Sequence, residues 1–279
     1  MSDLQTSFRD QRILATNLPT LPVVLQEAKR MADDPKTTVT QLAEVIGRDQ
    51  VLSGKVLKMV NSPTYGFPRR IASIHNALVL LGFNVVKSLI VSTVIFEHIP
   101  KGMEALWRHS MGCSIACSTL GHLLKMENTD ELFVAGLLHD IGKVIIAVQL
   151  PEALEEIRNL ARKEDIAISE AEKRILGIAH PYIGGWLAGH WNLPINLRYA
   201  LSYHHRPMSA RDYTSIAAVV HIGNFLTRLF EFGNGGDSHV PLLDPHAFKH
   251  LGLNQQKLGL ALDTLGEKFA QDESTFLSV

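Results

Sequence analysis

The sequence predicts an all-α protein, and three observations on its 279 residues support this. Apolar residues recur at helical spacing in one segment after another, beginning with the run from Val23 to Met31. No segment alternates apolar and polar residues over the length of a strand between hairpin turns. Apolar residues make up 46% of the chain and charged residues 20%, which allows a large buried core.

Start and stop signals divide the first hundred residues into short helices. Thr40 is predicted to cap a helix that closes at Gly47. The next helix runs from Val51 to Asn61, because the Ser62-Pro63 pair that follows disfavours further helical geometry. Another helix is expected from Ser73 to Leu81, just before a glycine.

Longer helices are predicted after residue 100. Their expected ranges are Met103–Met126, Thr129–Leu150, Pro151–Lys163, Ser169–Gly177, Tyr182–His190, Pro194–Tyr203 and Thr214–Phe232. The glycine-rich loop that begins at Gly233 then separates a C-terminal segment, in which two helices are predicted. We therefore divide the chain into an N-terminal helical lobe (1–100), a second helical lobe (101–232) and a loop with a helical tail (233–279).

Charge and hydropathy exclude several classes of partner. Lysine and arginine total 27 against 28 acidic residues, so no overall positive charge favours binding to nucleic acid. No cationic segment leads into an apolar one at the start of the chain, so no secretory signal is expected. Polar residues interrupt the longest apolar stretch, Leu78 to Phe96, which argues against a membrane span. We expect a cytoplasmic protein, and its oligomeric state is not predicted.

The two cysteines, Cys113 and Cys117, lie four residues apart. On a helix they would be neighbours on one face, where the geometry for a disulfide is poor. We interpret them as free thiols in or near the core, in preference to a metal or redox role.

Six short strings occur in a fixed order in the N-terminal half. They are Leu-Pro-Thr-Leu-Pro from residue 18, Asp33-Asp34-Pro35, Ile46-Gly47-Arg48-Asp49, Leu57-Lys58-Met59-Val60-Asn61-Ser62-Pro63, Ser73-Ile74-His75-Asn76-Ala77 and Leu80-Leu81-Gly82. This pattern resembles the HDOD family, and the resemblance continues to about residue 215. It implies a two-lobed helical fold and a regulatory role in bacterial signalling, with a protein partner in the pathway.

The segment from Gly136 to Lys143 resembles the core of HD-GYP and other HD-superfamily enzymes. The ligand order of that superfamily is His, His-Asp, His, His-His, Asp, and this chain matches it with His109, His139, Asp140, His180, His204, His205 and Asn224. The resemblance implies that Asp140 bridges two cations. His109 and His139 would complete the shell of one cation, and the other three histidines that of the second.

Imidazole and carboxylate ligands together suit iron, manganese, nickel or zinc, so one or two such ions are the expected cofactors. Asp140 and Lys143 are the candidate catalytic residues. Lys143 lies one helical turn after His139, where it could meet a substrate phosphate. The alternative is that this ligand set is the remnant of a lost site. His221, one turn before Asn224, is interpreted as a helix-packing histidine in preference to a ligand.

Two departures from the enzyme pattern leave the function open. Asn224 stands where the superfamily has an aspartate, which removes one negative charge from the site. No Gly-Tyr-Pro motif follows His204-His205, which argues against hydrolysis of cyclic dinucleotides. Three interpretations remain: a regulatory domain that retains a metal site, a metal-dependent phosphohydrolase, and a domain that binds a nucleotide second messenger without hydrolysing it.

Overall fold

The computed structural model describes residues 22–32, 34, 36–61, 67, 70–96, 100–236 and 239–276. Helices account for most of these ranges and no strand occurs in them, so the all-α prediction is confirmed. The described residues fall into two compact units, one within residues 19–97 and the other within residues 98–279.

The described residues of the first unit form four helices: α1 (Val23–Ala32), α2 (Val39–Gly47), α3 (Gln50–Val60) and α4 (Ile74–Phe96). The predicted cap of α2 was wrong, because Thr38 and not Thr40 begins this helix. The Thr38 hydroxyl accepts a hydrogen bond from the Gln41 amide, and the Gln41 side chain accepts one from the Thr38 amide. This reciprocal pair satisfies two amide groups that a helix start leaves without partners.

The helix predicted to end at Leu81 continues to Phe96 as α4. Gly82 interrupts its helical geometry at φ 76°, ψ 165°, a backbone conformation that favours glycine, and the helix resumes after it. In the described part of the chain, α4 alone is long and apolar enough to cross a membrane by length and composition, and 67% of its most apolar window is buried. We interpret α4 as a core helix of the first unit.

The second unit contains ten α-helices among its described residues. They are α5 (Glu104–Leu123), α6 (Thr129–Leu138), α7 (Ile141–Gln149), α8 (Pro151–Glu164), α9 (Ile168–Leu176), α10 (His180–His190), α11 (Ile195–Tyr203), α12 (Thr214–Leu229), α13 (Pro245–His250) and α14 (Gln255–Phe276). Helix α5 lies at the centre, where it packs against α6, α12 and α14. Cys113 and Cys117 are free and buried on α5 with their Sγ atoms 3.9 Å apart, so their prediction is confirmed.

A single helix was predicted over Thr129–Leu150, and the structure divides it into α6 and α7. His139 and Asp140 form the turn between the two helices, with Asp140 at φ −97°, ψ 12°. At the end of α6, Nδ1 of His139 forms a hydrogen bond with the Gly136 carbonyl oxygen at 2.7 Å. The break therefore places two candidate ligands at a helix junction, where their side chains need not follow one helical face.

Gly142 lets α7 approach the start of α10 closely. A Cβ atom at this position would lie 2.1 Å from the His180 carbonyl oxygen, so alanine requires the backbones to separate. We expect Gly142→Ala to lower the free energy of unfolding by about 1–3 kcal/mol, as overpacking does. The matched control is Gly259→Ala in α14, where nothing lies within 4 Å and alanine should add about 0.5–1 kcal/mol through its helix propensity. Urea unfolding measures both, and equal effects would contradict the close approach.

Candidate metal centre

Four separate places in the second unit contribute histidines to one centre. His109 lies in α5, His139 and Asp140 lie between α6 and α7, His180 begins α10, and His204 and His205 follow α11. They form two groups, and within each group the ligand atoms lie within 4.8 Å of one another. We name them the His109 cluster (His109, His139, Asp140) and the His180 cluster (His180, His204, His205).

The Asp140 carboxylate lies between the two clusters. Its Oδ2 atom is 3.3 Å from Nε2 of His139 and 3.6 Å from Nε2 of His109. Its Oδ1 atom is 3.2 Å from Nε2 of His180 and 3.7 Å from Nε2 of His204. Each oxygen thus faces a different cluster, which is the arrangement that a bridging carboxylate requires.

Hydrogen bonds orient three of the imidazoles. Nδ1 of His139 lies 2.7 Å from the Gly136 carbonyl oxygen, and Nδ1 of His204 lies 2.8 Å from that of Leu201. Carbonyl oxygens only accept hydrogen bonds, so both Nδ1 atoms donate and each neutral ring keeps its Nε2 lone pair free. Such second contacts are the usual means of orienting a histidine toward a metal.

Glu172 orients the third imidazole, and the sequence analysis missed it. Its Oε2 atom lies 2.7 Å from Nδ1 of His180 and accepts a hydrogen bond from the His180 amide at 2.8 Å. Glu172 is buried on the same face of α9 as Ile168 and Leu176. An acidic residue at a position where the helical period calls for an apolar one was the signal in the sequence, because buried acids need a partner.

Several buried atoms of the centre lack hydrogen-bond partners among the described residues. They are Nδ1 and Nε2 of His109, Nε2 of His139 and Oδ1 of Asp140. Buried polar atoms are almost always paired, so unpaired donor atoms on both sides of the Asp140 carboxylate indicate that the centre has a missing partner. Nitrogen and carboxylate donors in this combination fit a transition metal ion.

Burial and neighbouring charges set the ionisation of the centre. Burial lowers the pKa values of His109, His204 and His205 well below the usual range, and neighbouring positive charge lowers them further. Burial would also lower the pKa of His180, but the Glu172 carboxylate outweighs it and the pKa is raised. For Asp140, burial would raise the pKa, yet the positive charges of neighbouring groups hold it well below its usual range. The carboxylate is therefore ionised at neutral pH and able to bind a cation.

Lys143 contacts the centre directly. Its Nζ atom lies 2.7 Å from Oδ2 of Asp140 and donates a hydrogen bond to the carbonyl oxygen of Gly235, also at 2.7 Å. The side chain is 8% exposed, so these two contacts replace most of its hydration. The predicted contact of Lys143 with a substrate phosphate stays a prediction.

Asn224 and His221, one turn apart on α12, have different surroundings. Asn224 is buried and lines the cavity that His109 and Lys143 also line. His221 donates from Nδ1 to the His204 carbonyl oxygen at 2.8 Å, and its Nε2 accepts from the Asp244 amide at 2.9 Å. Both of its ring nitrogens are engaged, which supports the interpretation of His221 as a packing residue.

A cavity of about 1020 Å³ opens beside the two clusters within the second unit. His109, Lys143, His205 and Asn224 are among the residues that line it. Five cationic residues contribute to its walls, and no aspartate or glutamate does so among the described residues: the cations are Lys143, Lys173, Arg198, Arg206 and Arg228. Three aromatic side chains, Tyr182, Trp186 and Tyr203, also line the cavity. Its chemistry suits an anionic ligand with a planar group.

The family model of the HDOD domain matches residues 18–207 of the chain. The chain belongs to the HDOD family. Among solved structures, this HDOD domain is similar to an HDOD domain protein of unknown function from Geobacter sulfurreducens, with a TM-score of 0.67 and 27% identity. That alignment covers 99% of this chain and 96% of the other.

Two further relatives are more distant. A protein of Shewanella amazonensis SB2B, provisionally named a phosphohydrolase, shares the fold with a TM-score of 0.67 and 23% identity, over 96% of this chain and 94% of the other. An uncharacterized protein of Treponema pallidum (strain Nichols) is 24% identical over 224 residues. This match covers 77% of the HDOD protein but only 43% of the relative, so the chain spans less than half of the length of that protein.

Proposed function

We propose that this HDOD protein is a bacterial signal-transduction domain that binds a transition metal and recognises a phosphorylated ligand in the adjacent cavity. The observation that carries the proposal is the cavity wall, which has five cationic side chains and no described carboxylate, next to the unpaired ligand atoms of the metal centre. A nucleotide second messenger has the required chemistry. The output would pass to a protein partner in the signalling pathway.

The charges of the cavity favour phosphate over a neutral ligand. Arg198 and Arg206 are exposed on its wall and have no ion-pair partner among the described residues, so their guanidinium groups are available for phosphate oxygens. Guanidinium groups bind phosphate through paired hydrogen bonds that are stronger than neutral ones. Tyr182 and Trp186 offer faces on which a nucleobase would stack.

A second candidate function is that of a metal-dependent phosphohydrolase, and the position of Asp140 between two histidine clusters favours it. When bound there, a transition metal supplies Lewis-acid activation of water and of a phosphoryl oxygen. The protein would hold the ligand through its cavity arginines and orient the His180 imidazole through Glu172. Asn224 in place of an acidic residue reduces the negative charge available at this site, so we expect hydrolysis to be weak or absent.

Elemental analysis and calorimetry together test the proposal. Protein purified without a metal-affinity column should contain a transition metal, and it should bind pyrophosphate, a small probe with the expected charge. In the double variant Arg198→Ala, Arg206→Ala we expect a loss of at least about tenfold in this affinity, since the loss of even one charge-assisted hydrogen bond costs about 1.5–3 kcal/mol. The control is Arg162→Ala, an exposed arginine on α8 that does not line the cavity.

The outcomes separate the candidates. Metal content without affinity for pyrophosphate would contradict ligand recognition in the cavity. Turnover of a nucleoside di- or triphosphate that His139→Ala abolishes would favour the phosphohydrolase. Protein without any transition metal, even after incubation with Co²⁺, would contradict both.

A further inference from the structure

The two oxygens of the Asp140 carboxylate have different partners. In the part of the chain that the structure describes, Oδ1 faces imidazoles alone, with Nε2 of His180 at 3.2 Å. Oδ2 is closest to the Lys143 ammonium at 2.7 Å, while the nearest imidazole on that side, His139, is at 3.3 Å. A positive charge supplied by the protein itself is therefore already in contact with the oxygen of the His109 cluster.

Two contacts hold the Lys143 side chain in this position. Lys143 lies one helical turn after Asp140 on α7, and its Nζ atom also donates to the Gly235 carbonyl oxygen at 2.7 Å. That carbonyl belongs to the loop that follows α12, which lies outside the residues matched by the family. The loop therefore supplies a contact that the family resemblance did not predict.

The backbone of this loop is fixed against α5. Gly233 has a φ of 77°, and a Cβ atom there would lie 2.2 Å from the His109 amide nitrogen, so the loop lies directly on the helix turn that carries the ligand. The Asn234 amide donates to the Ala105 carbonyl oxygen at 2.9 Å. The acceptor for Lys143 is thus positioned by the same helix as His109.

A second cation and the Lys143 ammonium would compete for Oδ2. A transition metal bound to this oxygen at about 2.1 Å would lie within about 5 Å of Nζ, because the ammonium is itself 2.7 Å from the same oxygen. Like charges at this separation repel strongly in a buried site. Asn224 supplies no additional negative charge that would offset this repulsion.

Among the described residues, no ammonium or guanidinium group makes a comparable contact with the His180 cluster. Nε2 of His180 lies 3.4 Å from Nε2 of His204 and 3.1 Å from that of His205, and Oδ1 of Asp140 lies on the same side. Three imidazoles and one carboxylate oxygen make four donors, which is a common coordination number for these metals. Glu172 also increases the basicity of the His180 ring.

We propose that the centre holds one metal ion, in the His180 cluster, and that the Lys143 ammonium takes the place of a second cation in the His109 cluster. This inference rests on the metal binding proposed above and specifies its stoichiometry. It assigns Lys143 as a positioning residue that neutralises Oδ2 and leaves Oδ1 to the metal.

Cobalt titration of the full chain, followed by removal of unbound metal and elemental analysis, tests the stoichiometry. The wild type should retain one Co²⁺ per chain, and Lys143→Met, which removes the charge but preserves the length, should retain two. Lys143→Arg should stay at one because it keeps the charge. Lys163→Met is the control, because this exposed lysine on α8 lines neither the cavity nor the metal centre, and it should also stay at one.

Two histidine variants test the location of the ion without altering Lys143. His109→Ala should retain one Co²⁺ per chain, whereas His180→Ala should retain none. Two ions in the wild type, one ion in Lys143→Met, or loss of the ion in His109→Ala would overturn this inference and leave metal binding intact. A wild type that retains no Co²⁺ would overturn the proposed metal function as well.

Discussion

Replacing Asp140 with asparagine is expected to reduce the affinity of the HDOD domain for Co²⁺ by at least about 100-fold. The change removes the Asp140 carboxylate, whose two oxygens face the two histidine clusters. Loss of a residue that only orients a metal ligand already costs about 10–100-fold in affinity, so loss of a charged donor should cost at least as much. Competition with a chromogenic chelator measures the affinity.

The same substitution should also destabilise the fold. Asp140→Asn leaves the Lys143 ammonium buried without its ionic partner. Removal of one member of a buried ion pair costs about 3–5 kcal/mol. The control is Asp263→Asn, an exposed residue on α14 that contacts neither cluster. If Asp140→Asn binds Co²⁺ as tightly as Asp263→Asn does, Asp140 is not a ligand.

The metal-free protein is expected to lose stability as the pH falls below about 6.5, the ordinary pKa of histidine. His109, His204 and His205 have lowered pKa values in the folded state, so the unfolded chain takes up protons before the folded protein does. Their contribution to stability is therefore present above pH 6.5 and is lost as the pH falls toward their folded pKa values. Each group contributes up to about 1.4 kcal/mol per pH unit in this window.

His180 acts in the opposite direction. Its pKa is raised, so its contribution is complete at low pH and is lost as the pH rises through the folded pKa. This change falls above pH 6.5 and does not offset the three other histidines below it, so the net loss there should approach about 4 kcal/mol per pH unit. Urea unfolding in the presence of a chelator at several values between pH 5 and pH 8 measures it.

Two variants give this pH dependence a control. His204→Gln removes one buried imidazole and should reduce the slope by about 1.4 kcal/mol per pH unit. His246→Gln removes an exposed one and should leave the slope unchanged. A wild type equally stable at pH 7 and pH 5.5 would show that these histidines are not buried as neutral groups.

The family resemblance led to the residues of the centre, but their arrangement was not evident from the sequence. His109, His139 and His180 lie 30 and 41 positions apart, and only their order pointed to a common site. The turn at His139 and Asp140 was missed because apolar residues continue on both sides of it, so the helical period shows no interruption. The site depends on that turn.

Contributions from distant segments were the hardest to predict. Arg198 and Arg206 are ordinary surface residues in the sequence, and only the packing of α10, α11 and α12 places them around one cavity. The contact between Lys143 and Gly235 joins residues 92 positions apart. Local patterns carry no information about such pairs, whereas caps and helix periods are encoded within a few residues.

The packing of α12 and α14 on α5 has a consequence for where this domain can be divided. The family match ends at residue 207, before both helices, yet α5 is buried along almost its whole length between them and α6. A fragment cut at that boundary would expose the apolar side of α5 and lose the loop that contacts Lys143. Grafting this HDOD domain onto another protein therefore requires the chain to continue through α14.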